Sequence, residues 1–179
     1  AAQPLLPPKE SPPYVTSYEY ADLHQLSTLW LDYATDYKEL REDSIGSLYN
    51  SSKQVYTGLS ELEKQIVEKM QDGAKRKAVE RYYVDMNNVV MKAYELLKEN
   101  GIIVMVIGDT EYKGVKMQNA RALAERMLLN RFEILEITKR KISNKFLPTH
   151  RDSTGKFSSN KTDRQIYSQE YILIGRKRQ

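Results

Sequence analysis

Cysteine is absent from the 179 residues, and histidine occurs only as His24 and His150. The first absence excludes a disulfide framework, a thiolate nucleophile and any thiolate-held zinc or iron–sulfur centre. Two histidines so far apart give no histidine-rich metal site, and no metal is expected. Proline almost vanishes after the start: Pro4, Pro7, Pro8, Pro12 and Pro13 are five of the six in the chain. No apolar run approaches the roughly 20 residues that a membrane-spanning helix needs. The N-terminal residues also lack the basic-then-apolar order of a secretory signal, so a cytoplasmic chain without membrane attachment is expected.

What is present suits one ordinary domain. Hydrophobic residues make up 40% of the chain and charged residues 29%, enough for both a core and a soluble surface. The net charge of +4 conceals an asymmetry. Residues 1–112 carry 12 basic and 18 acidic side chains, whereas residues 113–179 carry 16 basic and 6 acidic. A basic half next to an acidic one fits a polyanionic partner, because Lys and Arg neutralise backbone phosphates irrespective of sequence. A merely solvated basic surface is the alternative.

Proline and periodicity divide the chain. Residues 1–10 read as an extended arm or linker, and residues 11–179 as one unit. Leu23, Leu26, Leu29, Trp30 and Tyr33 recur at three- and four-residue steps, which predicts an amphipathic helix over about 18–37 with these side chains in the core. Residues 38–58 have no sustained period and read as a loop or lid. Ser60 and Glu63 have capping-box spacing, and that helix weakens at Gly73. Val79, Tyr82, Tyr83, Met86, Val89, Val90, Ala93, Leu96 and Leu97 hold one helical face until Asn100-Gly101 stops it.

The run 102–107 is continuously apolar and ends in Gly108-Asp109, so a strand buried on both faces is expected. A helix over about 118–130 follows, with Ala122, Leu123, Met127 and Leu128 inward. Then come a strand at 132–139, a long basic loop to Ile166 and a closing strand at 171–176. This order is α/β.

Ser11-Pro12-Pro13-Tyr14 is where chemistry could sit. Two prolines hold the backbone extended and fix the directions of the flanking Ser and Tyr side chains. The Ser11 hydroxyl and the Pro12 carbonyl can accept hydrogen bonds from an exocyclic amino group while the Tyr14 ring stacks on the base. A plain proline-rich turn is the simpler reading of four residues taken alone.

The segment Ser11–His24 resembles the catalytic loop and following helix of the amino-group DNA methyltransferases of the cytosine-N4 type, whose motif reads Ser-Pro-Pro-Tyr. Leu97–Asp109 is similar to the helix-turn-strand that follows in that family. Phe146–Phe157 with Glu170–Lys177 looks like its closing hairpin. The resemblance implies a Rossmann-like class I methyltransferase sheet, S-adenosylmethionine as methyl donor and a flipped base in double-stranded DNA as acceptor, in a restriction-modification setting. It also implies that Ser11, Pro12, Pro13 and Tyr14 form the catalytic motif. Serine in the first position leans towards cytosine N4, with adenine N6 as the alternative. The absence of cysteine is consistent with this, since methylation at carbon-5 needs a thiolate.

The family's Gly-x-Gly cofactor loop occurs nowhere in the chain. Gly101, Gly108 and Gly114 have the wrong spacing, so no cofactor-binding residue is assigned. Nor does 1–10 read as an apolar strand delivering Ser11. The chain therefore reads as the C-terminal half of such a domain, its sheet incomplete. The glycine-rich half would come from elsewhere in the same polypeptide or from a second one. A non-catalytic DNA-binding or assembly module and an unrelated α/β domain remain open. Within the basic stretch 139–164, Lys145, His150, Arg151 and Lys156, interleaved with Phe146 and Phe157, are the candidate DNA contacts. Asp109 would either line the base pocket or cap the Gly114–Gln118 turn. His24 reads as a helix-surface residue, and 176–178 as a solvated basic tail.

Overall fold

The computed structural model describes residues 9–10, 12–15, 20–36, 39–42, 44–45, 58–71, 73–142, 150–152, 157–160, 164–165 and 169–178. Its elements run β1 Lys9–Glu10, α1 Tyr20–Trp30, α2 Glu39–Glu42, α3 Glu61–Glu68, α4 Ala74–Leu96, β2 Ile102–Ile107, β3 Glu111–Tyr112, β4 Val115–Lys116, α5 Asn119–Leu129, β5 Phe132–Lys141, β6 His150–Arg151, β7 Phe157–Ser158, β8 Arg164–Gln165 and β9 Gln169–Lys177. No described helix is long and apolar enough to cross a membrane. The main sheet has the order β1-β2-β9-β5. β1 runs parallel to β2, and β9 lies antiparallel between β2 and β5. The α/β order predicts an antiparallel pair for the strands at 132–139 and 171–176, and β5 and β9 form it.

Three expectations about the sheet need correction. Lys9 and Glu10 pair with Val104 and Met105, so the arm ends in a strand immediately before Ser11. Two residues suffice because β2 supplies the whole register, a fact no apolar pattern in 1–10 could announce. Second, β2 is not buried on both faces. Ile103, Met105 and Ile107 are buried while Ile102, Val104 and Val106 are half-buried. Antiparallel pairing with β9 puts Ile174 beside Val104 and Ile172 beside Val106 on the half-buried face. Third, an incomplete Rossmann-like sheet is expected to form a three-layer sandwich with the helices at 79–99 and 118–130 on its faces, but among the described residues both helices pack into one core. Val79, Tyr83, Met86 and Val90 of α4 and Ala122, Leu123 and Met127 of α5 share one core with Ile103, Met105, Leu173 and Phe132.

The helices follow local chemistry. Ser60 and Glu63 close a reciprocal capping box at the start of α3, satisfying two otherwise orphaned N–H groups. Gly73, at φ 141, starts α4 in a conformation that costs glycine little. At its far end the Lys177 ammonium donates to the Tyr94 and Leu97 carbonyls at 2.7 and 2.8 Å, a cation placed where the helix dipole favours it. Lys177 is thus a strand residue closing α4, not part of a solvated tail. Leu128, expected inward, is 56% exposed.

The periodic face of α1 is not core. Leu26 and Trp30 are 84% and 87% exposed, and Tyr33 is 77% exposed. The helical phase is right, but periodicity reports only that a face is apolar and says nothing about whether a neighbour covers it. The basic excursion after β5 is not wholly loop: β6 pairs antiparallel with β7 and with β8 in a small three-stranded sheet.

Candidate functional site

The parallel strands β1 and β2 end side by side, and in α/β sheets the crevice outside such carboxyl ends receives ligands. The chain leaves β1 through 11–15 and β2 through 108–110. The segment after β1 lies against the loop after β2 and is anchored from both sides. Tyr82 on α4 donates its hydroxyl to the Pro13 carbonyl at 2.8 Å. Thr110 donates to the Val15 carbonyl at 2.9 Å, and Val15 is buried. Asn119, at the start of α5, donates its amide to the Gly108 carbonyl at 2.9 Å and to the Thr110 hydroxyl at 3.2 Å. Two helices therefore set the position of Pro13–Val15, α4 directly and α5 through Thr110.

Of the predicted catalytic residues, Pro12 is buried and Pro13 and Tyr14 are half-buried. Ser11 lies outside the described residues. The Tyr14 ring lies edge-on against Gly108, where an added Cβ would meet its Cε2 at 2.8 Å. Gly108 is thus small because an aromatic ring occupies its side-chain space. The Tyr14 hydroxyl donates to Glu170 Oε1 at 2.8 Å, and Arg140 pairs with the other carboxylate oxygen. The Pro13 carbonyl is engaged by Tyr82.

Asp109 behaves as a cap rather than a pocket wall. Its Oδ1 accepts from the Ala120 N–H at 3.0 Å, satisfying the first turn of α5 where Gln118, left-handed at φ 46, provides no side-chain cap. Of the candidate DNA contacts, His150 is half-buried in β6, and the backbone of Arg151 forms the second residue of that strand. Lys145 and Lys156 lie outside the described residues. The small sheet leaves the main one after Lys141 and returns at Gln169. Its root is therefore at the end of the sheet where Tyr14 meets Glu170. His24 is on the exposed surface of α1.

Tyr82, Thr110, Asn119, Glu170 and Arg140 were not legible as site residues. Tyr82 sits in the apolar phase of α4, and Glu170 becomes a neighbour of Arg140 only through the β5–β9 register. Burial is the main cause that raises the Tyr82 pKa, with Tyr14 next and an opposing hydrogen bond from the Val15 backbone. Burial likewise raises Tyr83, followed by Tyr82, Glu63 and Asp109. Tyr83 donates its hydroxyl to the Met117 carbonyl at 2.6 Å. Both phenols remain neutral donors in the folded state beyond the ordinary value near 10. The unfolded chain gives up these protons first, so their stabilisation is complete below about pH 10 and is lost as pH rises above it. In alkali the stability of wild type, read by urea denaturation, should fall more steeply than that of the Tyr82→Phe/Tyr83→Phe variant, by up to about 1.4 kcal/mol per pH unit for each phenol. Parallel pH profiles for the two proteins would refute this.

No protein-family model and no curated protein matches the chain. Among solved structures it is similar in part to a Thermus thermophilus protein provisionally assigned as a DNA modification methylase. The selenomethionine form is 15% identical, with a TM-score of 0.42, over 65% of this chain and 50% of that one. The form complexed with S-adenosyl-L-methionine is 14% identical, with a TM-score of 0.40, over 65% and 51%. The chain spans about half the length of that protein.

Proposed function

We propose that this chain is the acceptor-side half of a site-specific DNA methyltransferase acting on an exocyclic amino group, with cytosine N4 the preferred target and adenine N6 the alternative. One observation carries the reading: the chain leaves a strand end through Ser-Pro-Pro-Tyr, the next residue, Val15, is bonded to the loop after the adjoining parallel strand, and the Tyr14 ring is set against Gly108 of that loop. In this reading Ser11 and the Pro12 carbonyl accept hydrogen bonds from the amino group and stabilise charge developing on its nitrogen. Tyr14 holds the extruded ring in line.

The residues present do not fit S-adenosylmethionine by themselves. The loop after β2 has its Gly108 carbonyl, Asp109 carboxylate and Thr110 hydroxyl engaged within the chain, and the sequence offers no Gly-x-Gly cradle. The donor site would belong to a glycine-rich half supplied by another part of the polypeptide or by a second one. The same observation favours a second reading, a DNA-binding or assembly module that transfers nothing.

Labelled-methyl transfer to duplex DNA separates the two. The first reading expects transfer when a Gly-x-Gly-bearing half is supplied. Ser11→Ala and Tyr14→Ala should then abolish it with duplex affinity largely retained. Transfer that survives both substitutions, or never occurs with a competent cofactor half, defeats the enzymatic reading. The basic excursion is expected to bind phosphates, since it rises from the same end of the sheet as Tyr14. Lys145→Glu with Arg151→Glu should weaken duplex binding and reduce the slope of log affinity against log salt by about 1 for each phosphate no longer neutralised. An unchanged slope would remove the excursion from the interface.

A further inference from the structure

Tyr14 is attached to the sheet by a polar chain that the Ser-Pro-Pro-Tyr motif does not contain. Its hydroxyl donates to Glu170 Oε1 at 2.8 Å, across 156 positions of sequence. Glu170 in turn pairs through Oε2 with Arg140, its register partner across β5 and β9. Glu170 is 15% exposed and Arg140 59%, so the carboxylate is held inside while the guanidinium lies at the surface. The ring is thereby located by two contacts of different kinds: its edge on Gly108 and its hydroxyl on Glu170. A ring fixed by its edge alone could still swing about its side-chain torsions, and the hydroxyl bond removes that freedom.

We propose that Glu170, braced by Arg140, is the positioning residue that sets the orientation of Tyr14 at the acceptor site. The pair sits at the root of the basic excursion, where β5 ends and β9 begins. The strands between which the basic excursion is inserted therefore also hold the ring that would receive the base. This rests on the reading of Tyr14 as the base-holding ring, but the hydrogen bond itself can be tested without that reading.

The chain has 13 tyrosines, so meta-fluorotyrosine should be placed at position 14 alone and followed by fluorine NMR. Glu170→Ala should displace or broaden the resonance. Glu170→Gln, whose amide oxygen still accepts from the hydroxyl, should largely restore it, and Arg140→Met should displace it less than Glu170→Ala does. A resonance unmoved in Glu170→Ala, or equally displaced in Glu170→Gln, overturns the proposal. If Glu170→Ala does not fold by circular dichroism, the other two variants decide: displacement in Arg140→Met with none in Glu170→Gln supports it, and the reverse overturns it. In an active reconstituted enzyme, Glu170→Ala should lower kcat about 10- to 100-fold with KM for duplex DNA nearly unchanged. Absence of transfer in wild type would sink the methyltransferase reading and leave the NMR result standing.

Discussion

Glu63→Ala is expected to destabilise the fold by about 3–5 kcal/mol. Glu63 is fully buried and its carboxylate serves two structures at once. It accepts the Ser60 N–H at 2.7 Å in the capping box, and it accepts Arg126 Nε at 2.9 Å in a bidentate pair with α5. Arg126 is itself buried and otherwise donates to the Gly58 carbonyl at 2.7 Å. Removing the carboxylate leaves a guanidinium out of water with its countercharge gone and reopens the first turn of α3.

For a chain of this size the loss corresponds to a fall in Tm on the order of 10 °C. Because a buried charge without its partner is the costly state, Glu63→Ala/Arg126→Met should be less destabilised than the sum of its single changes. Calorimetry on the four proteins measures this directly. A Glu63→Ala midpoint close to wild type, or strict additivity, would contradict it. The consequence reaches the site, since Arg126 sits on the helix whose first residues hold Gly108, Asp109 and Thr110.

Local chemistry was legible from the residues and mutual placement was not. The phase of α4, the apolar strand at 102–107 and the capping box are patterns within a few turns of chain, and each forms the element its pattern predicts, although β2 is fully buried on one face alone and Leu96 is 76% exposed. Arg126 reads simply as a charged helix residue until α3 and α5 are packed, at which point it meets a carboxylate 63 positions away. Trp30 and Leu26 have the spacing of a core face, yet no described element covers them. Lys9 and Glu10 carry no strand signal of their own and pair because β2 provides a template. Within the tetrapeptide, the stiffness of Pro12 and Pro13 was predictable. That Tyr82 holds the Pro13 carbonyl depends on a tyrosine 69 positions on.

Gly108→Ala should do more damage to the acceptor site than its one added methyl suggests. The new Cβ would stand 2.8 Å from Tyr14 Cε2, 3.3 Å from Cζ and 3.4 Å from Cδ2, closer at the first atom than packed carbons allow. An unrestrained side chain would turn away at little cost. Tyr14 is restrained at its hydroxyl by Glu170, and its neighbours Pro13 and Val15 are held through their carbonyls by Tyr82 and Thr110. Either the fold absorbs the overlap, at about 1–3 kcal/mol, or the ring leaves its slot and the bond to Glu170 breaks. If the ring is what clashes, Tyr14→Ala should relieve the defect, giving a coupling of about 0.5–3 kcal/mol between positions 14 and 108 in a double-mutant cycle. On the methyltransferase reading, displacement of the ring should also lower transfer about a hundredfold, since a shift near 1 Å at a reacting site has that order of effect. Additive stabilities would mean that the ring does not occupy the space above Gly108, and the acceptor site as built here would lose its floor.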